Sequence, residues 1–177
     1  MKGLEKAYHA HGLSKKAGIS ILISDKVDFK QKLIRKDKER HFILLKGITC
    51  QQDITIKNIY APNSGAPMYI KQTLVNFKNQ IDHNTIILGD FNTLLSPMDR
   101  SSKQKPNKED TGLMNIINNL DITDTYRIFH PLKTEYIFFL AVHRSFSKID
   151  NMLCQKEAIR NIKIEILLCI LSEHNGI

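Results

Sequence analysis

The sequence predicts a mixed α/β domain in which two packed β-sheets are flanked by helices. Two observations predict this fold class: short apolar segments with strand periodicity recur along the chain, and amphipathic segments with helical periodicity lie between them. No repeat, low-complexity tract or Gly/Ser-rich linker divides the 177 residues, so we expect a single domain that covers residues 1–177.

Alternation of apolar and polar residues gives the first strand signals. Ile19, Ile21 and Ile23 alternate with smaller or polar residues, which indicates a half-buried strand that begins near Ala17. The continuous apolar run at residues 85–89 is typical of a strand that is covered on both faces. Further strands are expected at residues 41–46, 54–60, 135–140 and 148–153.

Helical periodicity follows the Pro/Gly-containing loop at residues 61–65. Pro67 suits the first turn of a helix, and an apolar stripe follows it at spacings of four, three and four, formed by Ile70, Leu74, Phe77 and Ile81. After a polar, basic loop at residues 101–108 we expect a shorter helix with Leu113, Ile116, Ile117 and Leu120 on its inner side. Residues 156–161 suggest one more helical turn.

Charge and cysteine content limit the partners and the compartment. The chain has 26 Lys and Arg residues against 18 Asp and Glu residues, and the net charge of +8 favours a polyanionic partner, which could be DNA, RNA or an anionic membrane. Cys50, Cys154 and Cys169 are too widely spaced for a disulfide framework. The N-terminus carries no apolar signal segment, and the apolar run at residues 164–171 is too short to span a bilayer. We therefore expect a nuclear or cytoplasmic protein that is neither secreted nor membrane-bound.

The candidate catalytic residues begin where the apolar run ends. Asp90 and Asn92 follow Gly89 with one residue between them, and in an extended chain such residues project to the same face. A carboxylate can accept a proton from an attacking water, and an amide beside it can donate to a phosphate oxygen. The same spacing also fits an Asx turn at the end of a strand.

Polar side chains recur at the ends of other apolar segments. Tyr60 ends one predicted strand, Asp150 lies in another, and Glu173 and His174 follow the last apolar run. Each has a structural explanation by itself, as a strand-edge core residue, a structural hydrogen-bonding group or a surface residue. Their recurrence at strand ends favours a shared site. The sequence contains no Gly-rich phosphate loop, no HExxH zinc helix and no GxSxG elbow.

Four ordered motifs carry a family resemblance. NIYAPN at residues 58–63, GDFNT at 89–93, SKID at 147–150 and SEH at 172–174 resemble the motifs of the exonuclease–endonuclease–phosphatase superfamily, which includes DNase-I-like and apurinic endonucleases. The intervening sequence, including residues 99–101 and 134–139, is more similar to the endonuclease domain of the second-open-reading-frame protein of LINE-type retrotransposons. The similarity runs from about Lys2 to the last residue.

The resemblance implies a four-layer DNase-I-like sandwich and a Mg²⁺-dependent endonuclease that nicks DNA for retrotransposition. By this resemblance Asp90 orients or deprotonates the attacking water, and Asn92 and Tyr60 contact the phosphate. His174 contacts the scissile phosphate and is oriented by Asp150, while Glu173 helps to hold Mg²⁺. No other small-molecule cofactor is implied.

Two departures from the family bear on activity. The family domain begins with a strand that carries an active-site Asn and a strand that carries a metal-binding Glu, and the matching sequence here starts after both. Because Mg²⁺ is usually held by one or two carboxylates, we expect weaker metal binding, an impaired enzyme and a sandwich that is incomplete at the N-terminus. Glu173 also replaces the Asp of the family, and Ile137 replaces a Thr.

Three hypotheses remain at this point: a Mg²⁺-dependent endonuclease with impaired activity, a non-enzymatic basic nucleic-acid-binding remnant of a retrotransposon protein, and a chain that does not fold stably. The second hypothesis depends on a basic surface, for which the candidates are Arg100, Lys103, Lys105, Lys108, Arg127 and Arg144.

Overall fold

The computed structural model of the protein describes residues 4–11, 18–39, 41–99, 107–132, 138–140 and 145–157. Within them the strands are β1 (Leu4–His11), β2 (Gly18–Ser24), β3 (Phe29–Lys36), β4 (Phe42–Thr49), β5 (Gln52–Tyr60), β6 (Thr85–Asp90), β7 (Ile122–Asp124), β8 (Phe138–Leu140), β9 (Ser145–Ser147) and β10 (Asp150–Gln155). The helices are α1 (Ala66–Phe77), α2 (Lys108–Asn119) and α3 (Thr125–Phe129), with short 3₁₀ turns at Lys78–Gln80 and Pro97–Asp99.

The central element is a six-stranded mixed sheet. Its strand order is β3-β4-β5-β6-β10-β7, in which β5 and β6 run parallel and the other neighbours are antiparallel. Two further pairs, β1-β2 and β8-β9, form separate two-stranded sheets. A parallel pair needs a crossover connection, and α1 supplies the one between β5 and β6.

One face of the six-stranded sheet packs against the helices. Ile70, Leu74 and Phe77 of α1 are buried there, as their spacing predicts, together with Leu113 and Ile117 of α2. These side chains contact the sheet through a core cluster that includes residues Leu44, Ile59, Ile87 and Leu153. The predicted stripe of α1 is therefore confirmed, although Ile81 lies beyond the end of the helix and is only half-buried.

The opposite face of the sheet packs against β1-β2. Ile19, Ile21 and Ile23 of β2 are buried against Ile43 and Leu45 of β4 in a second core cluster. Two β-sheets are thus packed face to face, and helices cover the outer face of the larger one. The predicted α/β fold class is confirmed.

Several elements differ from the predicted ones. β1, β3, β7, β9 and α3 were not predicted, and β10 begins at Asp150 rather than at Lys148. α2 begins within the predicted loop, because the side chain of Asn107 accepts from the backbone N–H of Asp110 and the Asp110 side chain accepts from that of Asn107, which forms a capping box. Of the predicted strand at 135–140, only residues 138–140 belong to the described part of the chain.

Among the described helices, none combines the length and the apolar character that a membrane crossing requires.

Candidate active site

Three of the predicted site residues lie in one row across the six-stranded sheet. Tyr60 at the end of β5 is paired in register with Asp90 at the end of β6, and Asp90 is paired with Asp150 at the start of β10. Residues paired in this way on neighbouring strands share a face of the sheet, and in an antiparallel pair such as Asp90 and Asp150 their Cβ atoms lie about 4.5–5.5 Å apart. All three are half-buried, so the row combines restricted mobility with access from solvent.

Strand direction explains why these residues meet. The carboxyl ends of the parallel strands β5 and β6 lie at the same edge of the sheet, and the antiparallel strand β10 begins there. Backbone hydrogen bonds continue past the strand ends, with the N–H of Ala61 donating to the carbonyl of Asp90 and the N–H of Phe91 donating to that of Ile149, both at 2.9 Å. The backbone on both sides of Asp90 is therefore held to its neighbours.

Gly89 allows the close approach of β5 to this row. Its φ of +127° is a conformation that L side chains rarely adopt, and a Cβ atom there would lie 2.1 Å from the carbonyl oxygen of Ile59 and 2.5 Å from Oδ1 of Asn58. The glycine of the GDFNT motif is thus required by packing immediately before Asp90.

The turn after β6 differs from the extended chain expected from the spacing of Asp90 and Asn92. Asn92 has a left-handed φ of 47°, and its backbone N–H donates to Oδ1 of Asp90 at 2.9 Å, which forms an Asx turn. The argument from strand alternation is therefore wrong for Asn92. The turn nevertheless keeps the two residues together, and Nδ2 of Asn92 donates to the carbonyl of Ala61 at 2.8 Å, so the amide lies beside the ends of both β5 and β6.

A buried ionic cluster holds the chain around Asp150. Lys148 is fully buried, and its Nζ donates to Oδ2 of Asp124 at 2.9 Å and to Oδ1 of Asn151 at 2.7 Å. Its backbone N–H donates to the carbonyl of Asp99 at 2.8 Å. We call the side chains of Asp99, Asp124, Arg127, Lys148 and Asn151 the ionic cluster. Because an unpaired charge in the interior costs several kcal/mol, this cluster strongly favours one arrangement of the segment before β10.

Asp99 and Arg127 extend the ionic cluster to the loop after β6. Asp99 is fully buried, and Oδ1 accepts from Nε of Arg127 at 3.0 Å and also from Nη2. Oδ2 accepts from the backbone N–H of Leu95 at 3.2 Å. The prediction that Arg127 belongs to a free basic surface is wrong, because its guanidinium is paired with a buried carboxylate. Lys108 is exposed as predicted, and Arg100, Lys103, Lys105 and Arg144 lie outside the described residues.

Two predicted site residues, Glu173 and His174, lie outside the described residues, as does Ile137. Within the described part of the chain, no group of three or more His, Cys, Asp or Glu side chains is arranged to hold a metal ion. The described site therefore consists of the row of Tyr60, Asp90 and Asp150 with Asn92 beside it.

The sequence argument missed the supporting residues of this site. Asp99 and Lys148 stand in the stretches that carry the family resemblance, but no role was predicted for them. A charged residue within a motif is a usable signal, whereas its burial depends on partners that are distant in the chain: Arg127 is 28 residues from Asp99, and Asp124 is 24 residues from Lys148. His41, which contacts Tyr60, was also missed.

No protein-family model matches the sequence. Among solved structures, the chain is similar to the endonuclease domain of TRAS1, a telomere-specific non-LTR retrotransposon, with a TM-score of 0.68 and 12% sequence identity, covering 96% of this chain and 77% of that one. An AP endonuclease from Archaeoglobus fulgidus gives a TM-score of 0.65 and 18% identity with the same coverage of both chains. The 3′ phosphatase NExo from Neisseria, bound to a product DNA hairpin, gives 0.67 and 17%, again with 96% and 77% covered.

These likenesses confirm the resemblance at the level of the fold. The chain has the DNase-I-like fold that the TRAS1 endonuclease domain and the AP endonucleases have, although the sequence identities are low.

Proposed function

We propose that the chain is a Mg²⁺-dependent DNA endonuclease of the retrotransposon type, which cleaves one strand of its substrate. The observation that carries the proposal is the row of Tyr60, Asp90 and Asp150, which brings a phenol and two carboxylates to one edge of the sheet. The solved neighbours support DNA as the substrate, since one is a retrotransposon endonuclease domain and another is bound to a product DNA hairpin. The net charge of +8 favours the same partner.

The proposed roles of the side chains are those that the family resemblance implies, and the chemistry of each side chain supports them. Asp90 accepts a proton from the attacking water, and the Asx turn with Asn92 restricts the rotation of its carboxylate. The Asn92 amide and the Tyr60 hydroxyl donate to oxygens of the phosphate. The family resemblance assigns His174 to the scissile phosphate and Asp150 to the orientation of its imidazole.

The donor chemistry of the row fits Mg²⁺. This cation prefers oxygen ligands, and it is usually bound through one or two carboxylates together with substrate phosphates and water. Glu173 is the candidate ligand, and the carboxylates of Asp90 and Asp150 on neighbouring strands add negative charge at the edge of the sheet where the cation would bind. When bound, the ion neutralises charge on the phosphate. The expected impairment of activity stays a prediction.

A plasmid-nicking assay tests this proposal. Asp90→Asn keeps an acceptor for the Asn92 N–H and so preserves the turn, but it removes the base, and we expect nicking in Mg²⁺ to fall by about 10²–10⁴-fold. The matched control is Asp53→Asn, which removes an exposed carboxylate near the other end of β5 and leaves nicking unchanged. Nicking that persists in EDTA, or that survives Asp90→Asn, contradicts the proposal.

The alternative is a non-enzymatic nucleic-acid-binding remnant, which the net charge also favours. A gel-shift measurement with a duplex oligonucleotide in EDTA separates the two. Binding without any nicking in Mg²⁺, with a dissociation constant that Asp90→Asn leaves unchanged, supports the remnant.

A further inference from the structure

His41 lies beside Tyr60 at the edge of the sheet that carries the candidate site. It immediately precedes β4, where Phe42 is paired with Ile59, so His41 stands opposite Tyr60 at the next position. The row described above therefore continues by one residue, to His41, Tyr60, Asp90 and Asp150 on four neighbouring chain segments.

The imidazole of His41 completes the backbone ladder at this position. A hydrogen-bonded antiparallel pair normally exchanges two backbone N–H···O=C bonds. Here the N–H of Tyr60 donates to the carbonyl of His41 at 2.8 Å, but the return bond to the carbonyl of Tyr60 comes from Nδ1 of His41 at 2.9 Å. The backbone N–H of His41 donates instead to Oδ2 of Asp37 at 3.3 Å.

This bond determines the tautomer of His41. A carbonyl oxygen only accepts, so Nδ1 carries the proton and donates it to the carbonyl of Tyr60.

Aromatic contacts restrict the same ring from two sides. The imidazole is nearly parallel to the phenol ring of Tyr60, with centroids 6.4 Å apart and an interplanar angle of 7°. The ring of Tyr69 from α1 is tilted against it at 5.5 Å. His41 is thus held between the end of β5 and the first turns of α1, and it contacts both the backbone and the ring of Tyr60.

We propose that His41 is a positioning residue for Tyr60, which it holds in the row through the bond from Nδ1 to the Tyr60 carbonyl. The inference rests on the proposed function, in which the Tyr60 hydroxyl contacts the phosphate. His41 itself does not touch the reacting atoms.

Two substitutions distinguish the contribution of Nδ1 of His41 from that of Nε2. The side-chain amide of His41→Asn places an N–H near the position of Nδ1, whereas that of His41→Gln reaches towards the position of Nε2. We expect His41→Asn to nick DNA within about threefold of the wild type. His41→Gln and His41→Ala lose about 3- to 10-fold, the loss that corresponds to one hydrogen bond. Retention in His41→Gln with loss in His41→Asn overturns the proposal, and so does an equal loss or no loss in all three variants.

A double-mutant cycle tests whether His41 acts through Tyr60. In the Tyr60→Phe background the phosphate contact is already absent, so we expect His41→Ala to cause no further loss of nicking. Losses that multiply in the double variant overturn the proposal, because they mean that the two residues act independently. Thermal melts of all variants establish that the folded protein is compared in each case.

A readout that is independent of cleavage separates this inference from the proposed function. In protein with ¹³C-labelled tyrosine rings, the NMR signal of Tyr60 is assigned by its disappearance in Tyr60→Phe. Both variants lose the imidazole ring beside Tyr60, but only His41→Ala also loses the donor to the Tyr60 carbonyl, so we expect this signal to shift further in His41→Ala than in His41→Asn. A wild-type chain that does not nick DNA refutes the proposed function, while an unchanged Tyr60 signal in His41→Ala refutes the role of His41.

Discussion

Lys57 is a buried cation, and its removal is expected to stabilise the protein at neutral pH. It lies in the middle of β5 on the helix-covered face and is only 6% exposed. Its Nζ stands 4.4 Å from the ring centroid of Phe42 and 4.3 Å from that of Phe77. Burial lowers the pKa of Lys57 from 10.5 to about 8, and the nearby charge of Asp37 opposes this change only in part.

The magnitude follows from this difference in pKa. A lowering from 10.5 to about 8 corresponds to about 3 kcal/mol of destabilisation when the lysine is charged. Cation–π attraction to the two rings offsets part of it, at about 0.5–1 kcal/mol for each ring. We therefore expect Lys57→Met, which keeps a long apolar side chain, to raise the free energy of unfolding by about 1–2 kcal/mol at pH 7.

The pH dependence gives the sharper test. The folded protein releases the Lys57 proton near pH 8, whereas the unfolded chain keeps it until about pH 10.5, so between these values the unfolded state binds more protons. The stability of the wild type consequently gains a contribution as the pH rises through this window, and the full penalty is present below it. Lys57→Met lacks this contribution, and its advantage over the wild type should shrink from pH 7 to pH 10.

Urea unfolding followed by circular dichroism at pH 7, 8.5 and 10 measures this effect. Lys30→Met, an exposed lysine of β3, serves as the control and should show a small difference that does not depend on pH in this window. A difference between Lys57→Met and the wild type that stays constant from pH 7 to pH 10, or a variant that is less stable at pH 7, refutes the reasoning.

Two further predictions concern the residues that shape the site. Gly89→Ala combines a φ of +127° with a clash against the neighbouring strand, so we expect the free energy of unfolding in urea to fall by about 2–4 kcal/mol. Gly65→Ala, with a φ of +71° and open space around it, should lower it by about 1 kcal/mol, and equal losses in the two variants would contradict the packing argument. Lys148→Met leaves the mostly buried carboxylate of Asp124 without its cation and should cost about 3–5 kcal/mol, against less than about 1 kcal/mol for Lys32→Met in an exposed ion pair. A cost below about 1 kcal/mol for Lys148→Met would show that this ion pair contributes little.

The elements that the sequence predicted are those whose periodicity reflects burial. Ile70, Leu74 and Phe77 are apolar because α1 packs one side on the sheet, and Ile19, Ile21 and Ile23 alternate because β2 packs one face on it. Local patterns of this kind indicate which face of a helix or strand is buried, and they were sufficient to predict the fold class.

The elements that were not predicted show weaker periodicity in their own sequence. β3 (Phe29–Lys36) is at the edge of the sheet, and most of its side chains are exposed, so its charged residues do not alternate with apolar ones. β7 has three residues and α3 has five, which is too short for any periodicity to be recognised.

The sequence named the candidate residues but did not predict how they are arranged. Tyr60 and Asp90 were identified at strand ends and Asp150 within a predicted strand, yet only the register of β5, β6 and β10 shows that the three form one row. Register depends on pairing between segments that are 30 to 60 residues apart in the chain, which no local pattern contains. The Asx turn at Asp90 was one of two interpretations of the spacing of GDFNT, and the spacing alone did not decide between this turn and an extended chain.

The alternation of side chains along β10 explains how one short segment can serve both the site and its support. Asp150 and Asn151 are consecutive residues of a strand and therefore project to opposite faces. Asn151 accepts from the buried Nζ of Lys148, while Asp150 lies in the row with Asp90. The ionic cluster thus binds Asn151 on one face of β10, and this contact restrains the neighbouring Asp150 on the other face. Since a buried ion pair adds little net stability compared with apolar packing, we expect its main effect here to be on the position of the segment that carries Asp150.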